Sequence, residues 1–183
     1  QFNHNIFYKK YCDALGCEVD KVKNITQIPF LPIEFFKSQK IICKNIKPVH
    51  YFLSSGTTSE KKSIHYINNL NFYEKNCLLC FEHFWGKINN YCFFCLTPNK
   101  NEAPNSSLVH MCDLFIKKSN HLESGFYLND LDKLLYSIKK MQRKNVPFII
   151  LGLSFAILDF AEKNNANLSG GYIIETGGMK NRK

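Results

Sequence analysis

The chain has 183 residues, 45% hydrophobic and 21% charged, which are the proportions of a globular protein and exclude a disordered one. Its net charge of +9 comes almost wholly from lysines scattered along the sequence, with Arg143 and Arg182 the only arginines. Nucleic-acid readers lean on arginine forks that lysine cannot reproduce, so smaller polyanions are the expected partners and nucleic acid is not.

No apolar run approaches the roughly 20 residues of a membrane span. The longest, residues 146–160, is interrupted by Pro147, Gly152, Ser154 and Asp159. The opening Gln1-Phe2-Asn3 lacks the features of a signal peptide, and with no Met before it an upstream start is expected.

In chain order, Phe7, Tyr11, Ala14 and Leu15 share one side of a helix expected over residues 3–15. Two prolines make residues 28–32 a rigid connector. Short strands are expected over 40–44, 49–53 and 63–67, then a helix over 69–85 and a buried strand over 91–96. Residues 97–105, with Pro98 and Pro104, form a loop, and Ser106 or Ser107 caps a helix through Leu108, Met111, Cys112 and Phe115. A small strand over 125–128 precedes a helix opened by Asp130-Leu131-Asp132. Its core face carries Leu131, Leu134, Leu135, Ile138 and Met141, and its cations gather at the far end, where the helix dipole favours them. A strand over 148–151, a helix over 154–163 and a strand over 171–174 complete the series.

Eight cysteines include Cys77-Leu78-Leu79-Cys80 and Cys92-Phe93-Phe94-Cys95, together a two-knuckle zinc spacing. Helical periodicity places both Cys77 and Cys80 on a buried face shared with Phe81 and Phe84. In a strand, positions i and i+3 face opposite sides, so Cys92 and Cys95 cannot chelate one ion. Small buried thiols are the better account, and their number favours a reducing, cytoplasmic setting over disulfides. His50, His65, His83, His110 and His121 show no i, i+4 metal pairing.

Strands alternating with helices predict an α/β class, with a mostly parallel sheet flanked by helices and residues 1–183 as one unit. In such sheets ligands bind at the carboxyl ends of the strands. Two glycine-bearing polar segments follow predicted strands: Ser54-Ser55-Gly56-Thr57-Thr58-Ser59 after Leu53, and Glu175-Thr176-Gly177-Gly178 after Ile174. This placement predicts one shared site. Consecutive hydroxyls around a glycine suit anionic oxygens, above all phosphate, and Lys61 and Lys62 follow with positive charge. The same composition also suits a polar surface turn. No Walker A sequence is present. Gly152-Leu153-Ser154-Phe155-Ala156 approaches a nucleophile elbow, but Ala156 breaks it.

At this point the chain resembles a family. Ser54–Ser59 with its basic follow-on looks like the phosphate-binding signature of adenylate-forming ligases, the superfamily of acyl-CoA synthetases. Four segments together are similar to the acyl-protein synthetase (LuxE-type) branch. They are residues 28–37 (Ile-Pro-Phe-Leu-Pro-Ile-Glu-Phe-Phe-Lys), 54–66 with its Ser63-x-His65-Tyr66 tail, 105–111 (Asn-Ser-Ser-Leu-Val-His-Met) and 175–180 (Glu-Thr-Gly-Gly-Met-Lys). Ser59 and Asn181 stand where the family often has glycine.

The resemblance implies ATP-dependent conversion of a carboxylic acid to an acyl-adenylate, with Mg2+, and transfer of the acyl group to a thiol, carrier or amine. It assigns Ser55, Gly56, Thr57 and Thr58 to the nucleotide phosphates, with Lys61 or Lys62 as outer cations and His65 beside the loop. Gly177 and Gly178 would let the backbone pass close to the adenine or the acyl phosphate. Lys180 and Arg182 would lie near phosphate, and Glu175 would hold magnesium or cap a local amide. Ser154 reads as a helix N-cap or a wall of the acyl pocket. No residue is assigned a catalytic role. The family's further acidic motif, ribose-binding Asp and mobile C-terminal domain are not found before Lys183. The chain is therefore expected to be the N-terminal portion of a longer ligase, inactive alone. The competing class is a non-catalytic nucleotide- or polyanion-binding module.

Overall fold

A computed structural model describes residues 1–54 and 61–177. The expected site residues Ser55, Gly56, Thr57, Thr58, Ser59, Gly178 and Lys180 lie outside them. By its contacts the chain divides into two compact units, Gln1–Leu70 and Asn71–Lys183, where the sequence suggests a single one.

In the first unit, helix α1 spans Ile6–Ala14. The Asn5 side chain caps its start by accepting from the Tyr8 amide at 3.1 Å. Its end is closed by Gly16 at φ +66°, where Gly16 N–H donates to Asp13 O and Cys17 N–H to Cys12 O. This pair of bonds is a Schellman motif, and the left-handed turn is why glycine follows the helix. Phe7 and Tyr11 pack edge-on against Phe35, the first residue of the short helix α2, Phe35–Ser38.

Residues 40–44 form no strand, contrary to the sequence expectation. Their short apolar run Ile41-Ile42-Cys43 pairs with no strand among the described residues, and the Lys44 N–H instead bonds His4 O at 2.6 Å before a turn at Asn45.

Strands β1 (His50–Leu53) and β2 (Ile64–Ile67) pair antiparallel, with Leu53 opposite Ile64. They make their own two-stranded sheet. The hydroxyl-rich segment therefore connects a hairpin and does not follow a strand of the parallel sheet. A short link between adjacent strands permits antiparallel pairing, whereas parallel pairing needs a longer crossover.

The second unit is α/β, with a parallel four-stranded sheet flanked by helices. Its strand order is β4-β3-β5-β6, with β3 Cys92–Leu96, β4 Gly125–Phe126, β5 Phe148–Leu153 and β6 Gly171–Thr176. Helices α3 (Leu70–Trp85) and α4 (Ser107–Ser119) cover one face, where Phe81, Cys112 and Phe115 meet Phe93, Cys95, Ile149 and Leu151. Helices α5 (Leu131–Arg143) and α6 (Ser154–Lys163) cover the other, where Leu134, Ile138, Met141 and Phe160 meet Cys92, Phe94, Phe148 and Ile150. Cys92 and Cys95 thus point to opposite cores, as the strand period demands.

On α3 the buried stripe differs from the expected one. Cys77, Leu78, Phe81 and Trp85 pack inward, whereas Cys80 is exposed and Phe84 is 79% exposed. Inward positions recur here mainly at i+4, which turns the i+3 members out to solvent.

Glu123, just before β4, takes Lys140 at 2.6 Å and Lys144 at 3.5 Å, and the Lys140 bond holds its carboxyl below the usual range. A depressed folded-state pKa contributes stability that is present above the unfolded value and lost as pH falls through the folded one. Thermal melts from about pH 6 down to pH 3 should show a smaller acid-side loss in Glu123→Gln than in the parent. An identical pH slope in both proteins would contradict this.

Core and surface aromatics should separate cleanly. Phe94 is fully buried in β3, and Phe94→Ala is expected to cost about 3–5 kcal/mol in urea unfolding. Phe84→Ala, at an exposed site on α3, should stay within about 0.5 kcal/mol of the parent.

Candidate functional site

The described ends of the hydroxyl-rich segment are Ser54 and Ser63. Ser54 N–H donates to Ser63 O at 3.1 Å, and Ser63 N–H donates to Ser54 Oγ at 3.0 Å. These bonds extend the β1–β2 ladder by one pair. The Ser54 hydroxyl is thereby engaged as a structural acceptor, and Ser63 is buried. Lys62, next to it, is exposed. His65 on β2 stacks on Phe36 at 4.6 Å between centroids and 17° between planes, and is half-buried. Stacking fixes its ring beside the strand that leads back to the segment.

In the second unit the strand order defines a place for ligands. From β3 the chain winds one way through α4 to β4. It then crosses through α5 to β5 on the opposite side and continues outward to β6. The winding reverses between β3 and β5, and open α/β sheets take ligands outside the carboxyl ends of the strands at such a reversal. Thr97, buried, follows β3 directly, with its Oγ1 donating to Pro98 O at 3.1 Å. Beyond it the loop runs to Ser106, whose side chain caps α4 by accepting from the Val109 amide.

After β5 there is no loop. Leu153 is itself the cap position of α6 and Ser154 is its first residue, so Ser154 is not the N-cap that the sequence suggests. The strand runs two residues beyond its expected end and passes straight into the helix. Ser154 Oγ donates instead to the carboxylate of Glu175 near the end of β6. The structure thus brings together two side chains that the sequence leaves with separate roles. Gly152 has a packing reason: a Cβ there would stand 2.7 Å from the Leu96 Cβ and 3.2 Å from its carbonyl oxygen. Gly177, after β6, is exposed.

Glu175 is a hard oxygen donor of the kind Mg2+ takes, and Mg2+ is commonly held by one or two carboxylates together with substrate phosphates. Among the described residues no group of three or more His, Cys, Asp or Glu side chains collects for a metal. His110 is buried on α4 and bonds Glu74 of α3 at 2.8 Å. Sequence spacing suggests no partner for it, because its carboxylate lies 36 residues away. The core thiols are poor nucleophiles. Burial pushes Cys92 up to about 11, and the Cys112 bond, with burial, pushes Cys95 well above the ordinary thiol value. No described helix is long and apolar enough to cross a membrane.

Compared with models of protein families, with curated proteins and with solved structures, the chain matches none.

Removing the Ser54 hydroxyl leaves the buried Ser63 amide without its acceptor. Ser54→Ala should cost about 1–2 kcal/mol and speed hydrogen exchange at the Ser63 amide. Unchanged exchange there would show that the hydroxyl does not hold the hairpin.

Proposed function

We propose that the chain serves ATP-dependent activation of a carboxylic acid, with Ser54–Ser59 handling nucleotide phosphate. The observation that carries this is the reciprocal bonding of Ser54 and Ser63. It anchors both ends of a segment that supplies hydroxyls from Ser55, Thr57, Thr58 and Ser59, a glycine at Gly56, and exposed Lys62 beside it. Hydroxyl and backbone amide donors in such a sequence, tied at Ser54 and Ser63, suit phosphate oxygens.

In the proposed step a carboxylate oxygen attacks the α-phosphorus. The bond from that phosphorus to the bridging oxygen breaks, and pyrophosphate leaves with the electron pair. The chain positions the phosphates and offsets their charge, with Lys62 as a mobile cation. Mg2+, when bound, spreads the same charge over a hard ion. The acyl-adenylate then passes its acyl group to a thiol, carrier or amine. The sheet order of the second unit supports a ligand-binding role for the chain, since it creates a winding reversal at β3 and β5.

ATP–pyrophosphate exchange with a panel of carboxylic acids, measured on the full-length protein, tests the proposal. Acid-dependent exchange is expected. Replacing Thr57 and Thr58 together with Ala should lower it about 100-fold while the melting temperature stays near that of the parent. ATP binding without exchange on any acid would mark a nucleotide-binding module and overturn the ligase.

A further inference from the structure

The first unit carries a cleft, open to solvent on one side, with a volume of about 710 Å³, within the range of small-molecule pockets. Every lining residue belongs to that unit, and none carries a charged side chain. Val22, Ile28, Leu31, Ile41, Ile42 and Phe36 give it an apolar wall. Tyr66 and Asn68 add polar side chains to the wall, while the groups nearest α1 bond to the protein itself. Tyr8 OH donates to Pro29 O at 2.7 Å, the Asn5 side chain accepts from the Tyr8 amide, and the Cys43 thiol donates to Gln1 Oε1 at 3.3 Å. Burial pushes the Tyr8 phenol up to about 12, so it stays neutral at physiological pH.

We infer that this cavity is a binding site for an uncharged aliphatic chain. A polar ligand would find few free hydrogen-bonding groups there, and a charged one would lose its hydration without a counter-ion. Covering a largely apolar wall with an apolar guest removes that surface from water, which is favourable. The rigid connector supplies Ile28, Pro29, Phe30 and Leu31 to the wall, which gives those residues a role that the nucleotide chemistry does not use. The inference is independent of ATP, and either can fail without the other.

The cavity carries its own reporters, since Cys12, Cys17 and Cys43 line it, while Cys80 lies exposed in the second unit. The whole chain is titrated with 1-aminoanthracene, an uncharged fluorophore, which is then displaced with 1-dodecanol or with dodecanoate below their aggregation limits. Saturable uptake of the fluorophore and displacement by dodecanol are expected. With dodecanol at ten times its dissociation constant, iodoacetamide labelling of Cys12, Cys17 and Cys43 should slow about tenfold, as mass action requires. Labelling of Cys80 should not change. No saturable uptake, or equal slowing at Cys80, overturns the site. Dodecanoate binding more than about tenfold tighter than dodecanol would reveal a fixed cation at the cavity and overturn the assignment of an uncharged ligand.

Discussion

The second unit depends on one strand being dry on both sides. All five residues of β3, Cys92 to Leu96, are fully buried, and their side chains alternate between two separate cores. A strand in that position must be apolar at every place, and its neighbours must present backbone on both edges. The rest of the unit follows from this. Helices are needed on both faces, and β4 and β5 take the two edges. The winding must then reverse around β3, which is what opens a place for ligands at its carboxyl end.

The first unit solves a different problem with fewer means. It has a two-stranded sheet, which is marginal by itself, and short helices around a cavity. Its order comes from specific closures: the Asn5 cap, the Schellman end at Gly16, the Ser54–Ser63 pair and the aromatic contacts of Phe35 and Phe36. Both the proposed phosphate segment and the proposed apolar site therefore rest on local hydrogen bonds and ring contacts more than on a deep core. Regions held in this way open at lower free energy than core strands do.

Legibility in the sequence tracked how local each determinant was. Helix α5 was readable because Leu134, Ile138 and Met141 recur at helical spacing and all three are buried. The opposed faces of Cys92 and Cys95 follow from strand period alone. Residues 40–44 misled because a short apolar run suits a strand but does not supply its neighbour. The hydroxyl segment was visible as composition, yet its hairpin setting was not, since pairing direction depends on where the next strand lies. Ser154 looks like a cap when only the apolar run after it is considered. Its bond to Glu175 across 21 residues of chain needs the sheet to exist first. The cavity left no periodic trace at all, because its wall is gathered from helix, connector, loop and strand.

The direct passage of β5 into α6 has a consequence for how this chain can change over generations. Ser154 follows Leu153 with no intervening loop residue, so the junction has no slack to absorb a change in length. One added residue there would turn the helix by roughly 100° relative to the strand, carrying Ala156 and Phe160 out of the core they fill. The segment between β3 and α4 bears no such restriction, since a surface loop takes up extra length at small entropic cost. Two strand ends that flank the same reversal thus differ in evolutionary freedom: one is fixed in length, and new length can accumulate at the other.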